Sequence, residues 1–216
     1  MIRVVLVGAA GRMGRAVKAA AAGAADLVVH ARVDQRANFP AGDGAWNEDV
    51  LAVTAQGDVI VDFSSPAGAR AAAAAAAARG AALVTGSTGL APDDEAAVRD
   101  AAKRVPVLRA SNFSLGIAAL RVALRAALAA VPATWDVEIV ERHHRLKKDS
   151  PSGTALTLAG DVRAARTLPA EAVRHGREGQ IGVRPPREIG MHAVRGGTWV
   201  GDHQVLLAGE GEWLEL

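Results

Sequence analysis

The sequence contains no cysteine and no tyrosine, and aromatic residues make up only 3% of its 216 positions. Without cysteine there is no disulfide and no thiolate metal site, which permits a reducing, cytoplasmic setting. The scarcity of aromatics removes the stacking surfaces that single-stranded nucleic acid needs, and the arginines are scattered rather than gathered in a stripe. Charge is nearly balanced, with 25 Lys and Arg against 23 Asp and Glu for a net +2. Long hydrophobic runs are also missing. The N-terminal apolar stretch runs into Gly8 too soon for a secretory signal. The alanine block Ala71 to Ala78, bracketed by Arg70 and Arg79, is too short and too weakly hydrophobic for a bilayer span, and alanine's propensity makes it a helix. The composition leaves a globular chain with a real core, and neither nucleic acid nor membrane is expected as a partner.

What is present has a rhythm. Arg3 to Val7 is β-branched and leucine-rich without polar alternation, as a strand buried on both faces requires. Further strands follow at Leu27 to Val33, Asp58 to Phe63, "ALVT" and "VPVLR", and helices separate them, including one from about Ala67 to Arg79 and "PDDEAAVRDAAKR". Strand and helix alternating in this way predict an α/β, doubly wound parallel sheet of the Rossmann type over residues 1–114. From 115 to 216 the pattern changes. Ile117, Leu120, Leu124, Leu128 and Val131 make an apolar helical stripe, with Arg121 and Arg125 on the opposite face. "DVEIVE" is a strand, Pro151 to Arg166 a helix, and the glycine-broken tail reads as an antiparallel meander. The second unit is therefore α+β with a mostly antiparallel sheet.

The first strand meets "VGAAGRMGR", which sets Gly8, Gly11 and Gly14 between strand and helix. That spacing allows close backbone approach to a pyrophosphate resting on helix N-terminal amides. Asp34 ends the second strand, where a carboxylate can accept from an adenosine ribose. An acid there leans toward NAD, but Arg36 follows and could grip a 2′-phosphate, so NADH and NADPH both stay open. "TGSTG" and "ASNF" follow later strands of the same sheet and stand where a nicotinamide end would lie, though ordinary turn chemistry also explains them.

"ERHHRLKKDSPSGTA", Glu141 to Ala155, concentrates the chemistry. His143 and His144 can exchange protons near neutral pH. Lys147 is a cation able to act as an acid when desolvated. Ser152, Gly153 and Thr154 bring hydroxyls and amides to a helix start, so the stretch suits a carboxylate beside a proton donor. Adjacent histidines do not readily face one ion, and no metal is expected. Ser152 lies in no nucleophile elbow.

This stretch closely resembles the signature E-x-H-H-x-x-K-x-D-x-P-S-G-T-A of the 4-hydroxy-tetrahydrodipicolinate reductase family. "VGAAGRMGR", "DFSSP", "TGSTGL", "SNFSLG" and "GREGQIGVRPPREIGMHAVRGG" match the same family in order, across nearly the whole chain. The resemblance implies NADH- or NADPH-dependent reduction of 4-hydroxy-tetrahydrodipicolinate, a small dicarboxylate, to tetrahydrodipicolinate with loss of water, in lysine and diaminopimelate biosynthesis. It implies His143 as proton donor/acceptor, Lys147 as a second proton donor, and His144, Ser152, Gly153 and Thr154 as substrate contacts. Cofactor contacts are implied at Gly8, Ala9, Ala10, Gly11, Arg12, Met13 and Asp34, at Gly86, Ser87 and Thr88, and at Ala110, Ser111, Asn112 and Phe113. A cytoplasmic homotetramer, built through the second unit, is implied as well.

Family members continue past "GEWLEL" with a helix that returns to the cofactor domain, and this chain stops at Leu216. The expectation attached to that departure is a chain that binds cofactor but turns over poorly. An aspartate- or homoserine-type dehydrogenase would not need His-His-x-x-Lys before Ser-Gly-Thr. A dinucleotide sensor without catalysis would not need His143 and Lys147.

Overall fold

The computed structural model describes residues 1–42 and 44–216. Two five-stranded sheets form among them, and contacts divide the chain into two compact units, Met1–Ser111 and Asn112–Leu216. The division falls just before the 114/115 boundary expected from sequence.

In the first unit β1 (Ile2–Val7), β2 (Leu27–Val33), β3 (Val59–Asp62), β4 (Ala82–Thr85) and β5 (Val107–Arg109) pair in parallel in the order β2-β1-β3-β4-β5. Helices α1 (Arg12–Ala22), α2 (Val50–Val53), α3 (Pro66–Arg79) and α4 (Pro92–Ala102) connect them. The chain steps from β1 to β2 on one side and returns to β3 on the other. This reversal is where open parallel sheets bind ligands, beyond the carboxyl ends of the strands.

The alanine block is a buried helix. Ser65 caps α3 by accepting the Gly68 amide at 3.2 Å, and Pro66 supplies a first-turn φ. Ala69, Ala72, Ala73, Ala75 and Ala76 are all buried, and the last four pack with Val5, Val7, Ile60 and Leu83 into one core. Small side chains let this helix lie close to sheet and neighbouring helices, so here alanine supplies packing as well as propensity. Arg70 of α3 donates to Asp94 at 2.7 Å, and Asp94 accepts the Ala91 amide that opens α4.

The second unit holds α5 (Leu115–Ala130), β6 (Asp136–His143), α6 (Gly153–Arg166), β7 (Val173–His175), β8 (Ile189–Arg195), β9 (Asp202–Ala208) and β10 (Trp213–Glu215). The strand order is β10-β9-β6-β8-β7. The sheet is mixed: β9 with β10 and β6 with β9 are antiparallel, whereas β8 lies parallel to both β6 and β7. The meander read from the tail thus holds only for β9 and β10. Strand β8 does not pair with β9 because the loop after Arg195 crosses the end of β6. There Gly196 N donates to His143 O, His144 N to Trp199 O, and Arg145 N to Gly197 O. That crossing places β8 and β9 on opposite sides of β6.

Alternation along β6 gives the strand two different faces. Val137 and Ile139 enter a core with Leu124, Leu128, Leu158, Val162, Ile189, Val205 and Leu207. On the other face Glu138 accepts from Arg177, Arg184 and His192, which straps the segment before β8 across the sheet. Arg121 and Arg125, on the face opposite the apolar stripe, both reach Asp161 of α6, with the Arg121 bonds at 2.6 and 3.0 Å. Sequence periodicity separates polar from apolar positions, but it does not show that a second helix supplies a carboxylate.

Candidate active site

In the first unit a cleft of about 770 Å³ opens beyond β1, β2 and β3, lined among others by Gly8, Ala10, Gly11, Asp34, Phe63 and Ser64. Gly8 has φ +76°, and a Cβ there would meet Phe63 O at 2.5 Å, so the turn needs glycine twice over. The turn is tied to the end of β2. Gly8 N and Ala9 N donate to Val33 O, Ala10 N to Asp34 Oδ2 at 2.9 Å, and Gly11 N to Gly8 O. These four amides are therefore spent inside the protein. Those of Arg12 and Met13 open α1, and among the described residues no side chain caps that helix. They are the amides left for an anion.

Asp34 holds more than was expected of it. Besides Ala10 it accepts from Gln35 N at 2.8 Å and Asn38 Nδ2 at 2.7 Å, so it braces the loop while lining the cleft. Ser87 is buried: its hydroxyl donates to Asp62 Oδ2 at 2.8 Å and accepts from Ser64 N at 3.0 Å. Thr88 is exposed and Ala110 half-buried. Asp62 was not singled out from sequence. Fully buried, it also accepts from Thr85 Oγ1 at 2.7 Å and from the Ser64 hydroxyl, binding the loops after β3 and β4 together.

In the second unit the helix α6 starts beside the end of β6. Ser152 caps α6 through its Oγ, which accepts from Ala155 N at 3.2 Å, and the preceding amides of Gly153 and Thr154 stand at the helix mouth. Thr154 Oγ1 accepts from Asn112 Nδ2 at 2.9 Å, which ties the first residue of this unit to the start of α6. Ser152, expected at the substrate, is buried and used internally. Its amide donates to Glu141 Oε1 and its hydroxyl meets His203 Nε2, both at 3.0 Å.

His143 ends β6 and is buried, with Nδ1 at 2.5 Å from Glu141 Oε2. Register explains the cluster around it. Arg195 of β8 lies opposite His143, and His203 of β9 lies opposite Glu141, so all four side chains share one face of the sheet. Arg195 grips Glu141 with two bonds of 2.7 Å. Burial alone would push the Glu141 carboxyl up, but hydrogen bonds from Arg195, His143 and Ser152 overcome it and hold the group at about 2. His203 is pushed below its ordinary value, first by burial and then by His143. Lys147 Nζ pairs with Asp149 Oδ1 at 2.8 Å, and His144 is half-buried on the next turn. Glu141, Arg195 and His203 carried no assigned role from sequence. The available signal was a charged residue two positions before His143, on the face that otherwise goes to the core.

Comparison with known proteins agrees with this layout. Residues 2–113 match the family model for the dihydrodipicolinate reductase N-terminus, and residues 116–216 match that for its C-terminus. The chain belongs to the dihydrodipicolinate reductase family. Among family relatives, the 4-hydroxy-tetrahydrodipicolinate reductase of Thermomicrobium roseum is 46% identical over the whole chain and 86% of its own length. The enzyme of that name from Myxococcus xanthus is 42% identical over the whole chain and 85% of its own length. A solved family structure, the dipicolinate-bound dihydrodipicolinate reductase of a Paenisporosarcina species, is 27% identical with a TM-score of 0.72. It is matched over the whole of this chain and 86% of its own. A myo-inositol dehydrogenase from Corynebacterium glutamicum, 16% identical at a TM-score of 0.60, shares the fold alone.

Proposed function

We propose that this chain reduces 4-hydroxy-tetrahydrodipicolinate to tetrahydrodipicolinate with NADH or NADPH and loss of water, a step of lysine and diaminopimelate biosynthesis. The observation that carries the reading is His143, buried against a carboxylate at the mouth of α6, in a chain matched end to end by the family.

The residues present suit a dinucleotide. The first unit offers a cleft at the sheet's reversal point, uncapped α1 amides and the Asp34 carboxylate. When bound there, a reduced nicotinamide supplies the hydride. In our reading Arg12 and Met13 hold the pyrophosphate by their amides, Gly8 to Gly11 shape the floor, and Asp34 faces the ribose. The stretches Gly86 to Thr88 and Ala110 to Phe113 complete the cofactor contacts, with Ser87 acting through its buried bonds.

In the second unit the mouth of α6 receives a carboxylate on Gly153 N and Thr154 N, with His144 alongside. His143 gives the proton that balances charge as the ring accepts hydride, and Lys147 is the second donor once drawn from Asp149. We place the division of labour at the unit boundary, cofactor before it and substrate and assembly after it. A homotetramer in the cytoplasm fits the exposed Val183, Val200 and Trp213 of the second unit.

The test is substrate-dependent loss of nicotinamide absorbance, run with each cofactor. His143→Gln and Lys147→Ala should each lower kcat by about 10²-fold or more while cofactor Kd is kept. Full activity in either variant, or no oxidation by the wild type, refutes the assignment.

A further inference from the structure

We propose that Glu141, gripped by Arg195 and the Ser152 amide, is a positioning residue for proton transfer: it keeps the Nδ1 proton of His143 turned inward and leaves Nε2 as the atom that exchanges a proton with substrate. The proposal rests on the reading of His143 as the proton-transfer group and adds which nitrogen acts and what sets it.

The geometry leaves one consistent arrangement. Glu141 Oε1 receives Ser152 N–H at 3.0 Å and Arg195 Nη2 at 2.7 Å. Oε2 receives Arg195 Nη1 at 2.7 Å and faces His143 Nδ1 at 2.5 Å. A carboxylate ringed by donors stays ionised and can only accept, so the hydrogen on the fourth contact belongs to His143. The imidazole then carries Nδ1–H in both of its protonation states.

Nε2 has a different neighbour. A Cβ on Gly201, at φ +153°, would lie 3.0 Å from it, so glycine keeps that nitrogen uncovered. The groups facing the imidazole from the packed strands are Glu141 on β6, Arg195 on β8 and His203 on β9, whose ring stands edge-on at 5.2 Å. Burial and the neighbouring His143 both disfavour a charged His203, whose Nε2 lies 3.0 Å from Ser152 Oγ. The Lys147–Asp149 pair follows in the next loop. An imidazolium at this point is thus compensated by one directed carboxylate rather than by diffuse charge.

The step balances. As the ring gains two electrons with the hydride, the Nε2–H bond breaks and a C–H bond forms on the substrate. The electron pair stays on Nε2, the Nδ1–H bond stays on His143 and is still donated to Glu141, and a solvent proton restores Nε2–H.

Glu141→Gln tests the claim. Ser152 N–H and Arg195 draw the new carbonyl to their side, which turns the amide N–H₂ toward Nδ1 and forces the opposite tautomer. Expected are a kcat about 10²-fold lower or more, with KM and NADH Kd little changed, and an alkaline limb of the kcat/KM profile moved down by about one pH unit. A folded variant with wild-type kcat and profile overturns the proposal. Independently of how the variant folds, ¹⁵N-histidine NMR of the wild-type full chain, with the His143 signal assigned through His143→Gln, should show Nδ1 protonated. A neutral ring protonated at Nε2 overturns it too. Wild-type protein without substrate-dependent turnover would sink the functional reading instead, and the NMR result would still judge the tautomer.

Discussion

Replacing Gly14 by alanine should weaken the protein, although alanine is the better helix former. Gly14 lies in the first turn of α1, and a Cβ there would sit 2.2 Å from Gly8 O, 2.6 Å from Ala9 Cα and 2.7 Å from Ala9 C. All three are backbone atoms of the turn anchored to Val33 and Asp34, so no flexible side chain can give way. Helix propensity gains about 1 kcal/mol. Overpacking against backbone costs about 3 kcal/mol, the upper end of the usual range. The net is a loss of about 2 kcal/mol, accompanied by displacement of the Arg12 and Met13 amides and hence weaker cofactor binding. Gly160 is the internal control. It lies within α6 with nothing inside 4 Å of its would-be Cβ, so Gly160→Ala should gain about 1 kcal/mol. Urea unfolding and NADH fluorescence titration read both variants. If Gly14→Ala is as stable as wild type and binds NADH equally well, the close-approach argument fails.

Asp62→Ala removes the shared acceptor of Thr85, Ser87 and Ser64 and leaves buried donors unpaired; a loss of about 2–4 kcal/mol and of NADH affinity is expected, and a cost below about 1 kcal/mol would refute the brace. Asp161→Asn breaks the Arg121 fork between α5 and α6 and should cost about 1–2 kcal/mol in urea unfolding. Glu138 and Glu141 are both held at about 2 against an ordinary 4.5, burial being outweighed by Arg177, His192 and Arg184 for the first and by Arg195, His143 and Ser152 for the second. The unfolded chain takes up these protons first, so their stabilisation is complete above about pH 5 and is lost as pH falls toward about 2. The urea midpoint should drop across that window, and less steeply in Glu138→Gln; a flat profile would count against both networks.

The candidate site is legible as far as its parts are local in sequence. A glycine turn between strand and helix, and a histidine–lysine stretch leading into Ser-Gly-Thr, state backbone and titration chemistry that needs no partner to be recognised. The alternation of strand and helix likewise carries the parallel order of the first sheet. Glu141 illustrates the limit. Its spacing from His143 puts both on one face of a strand, but a charged residue there has no sequence-level reason to be buried. Arg195 and His203 become its neighbours only through the register of β8 and β9 across β6.

The sequence by itself determined the elements, the turn that only glycine can make, and the residues able to move a proton or hold an anion. Local sterics and side-chain chemistry decide those within a few residues. Tertiary structure alone decided that β8 joins β6 in parallel, that Arg121 finds Asp161, and which carboxylate sits against His143 Nδ1. Such pairings form between segments far apart in the chain, where burial and strand register, not proximity in sequence, choose the partner.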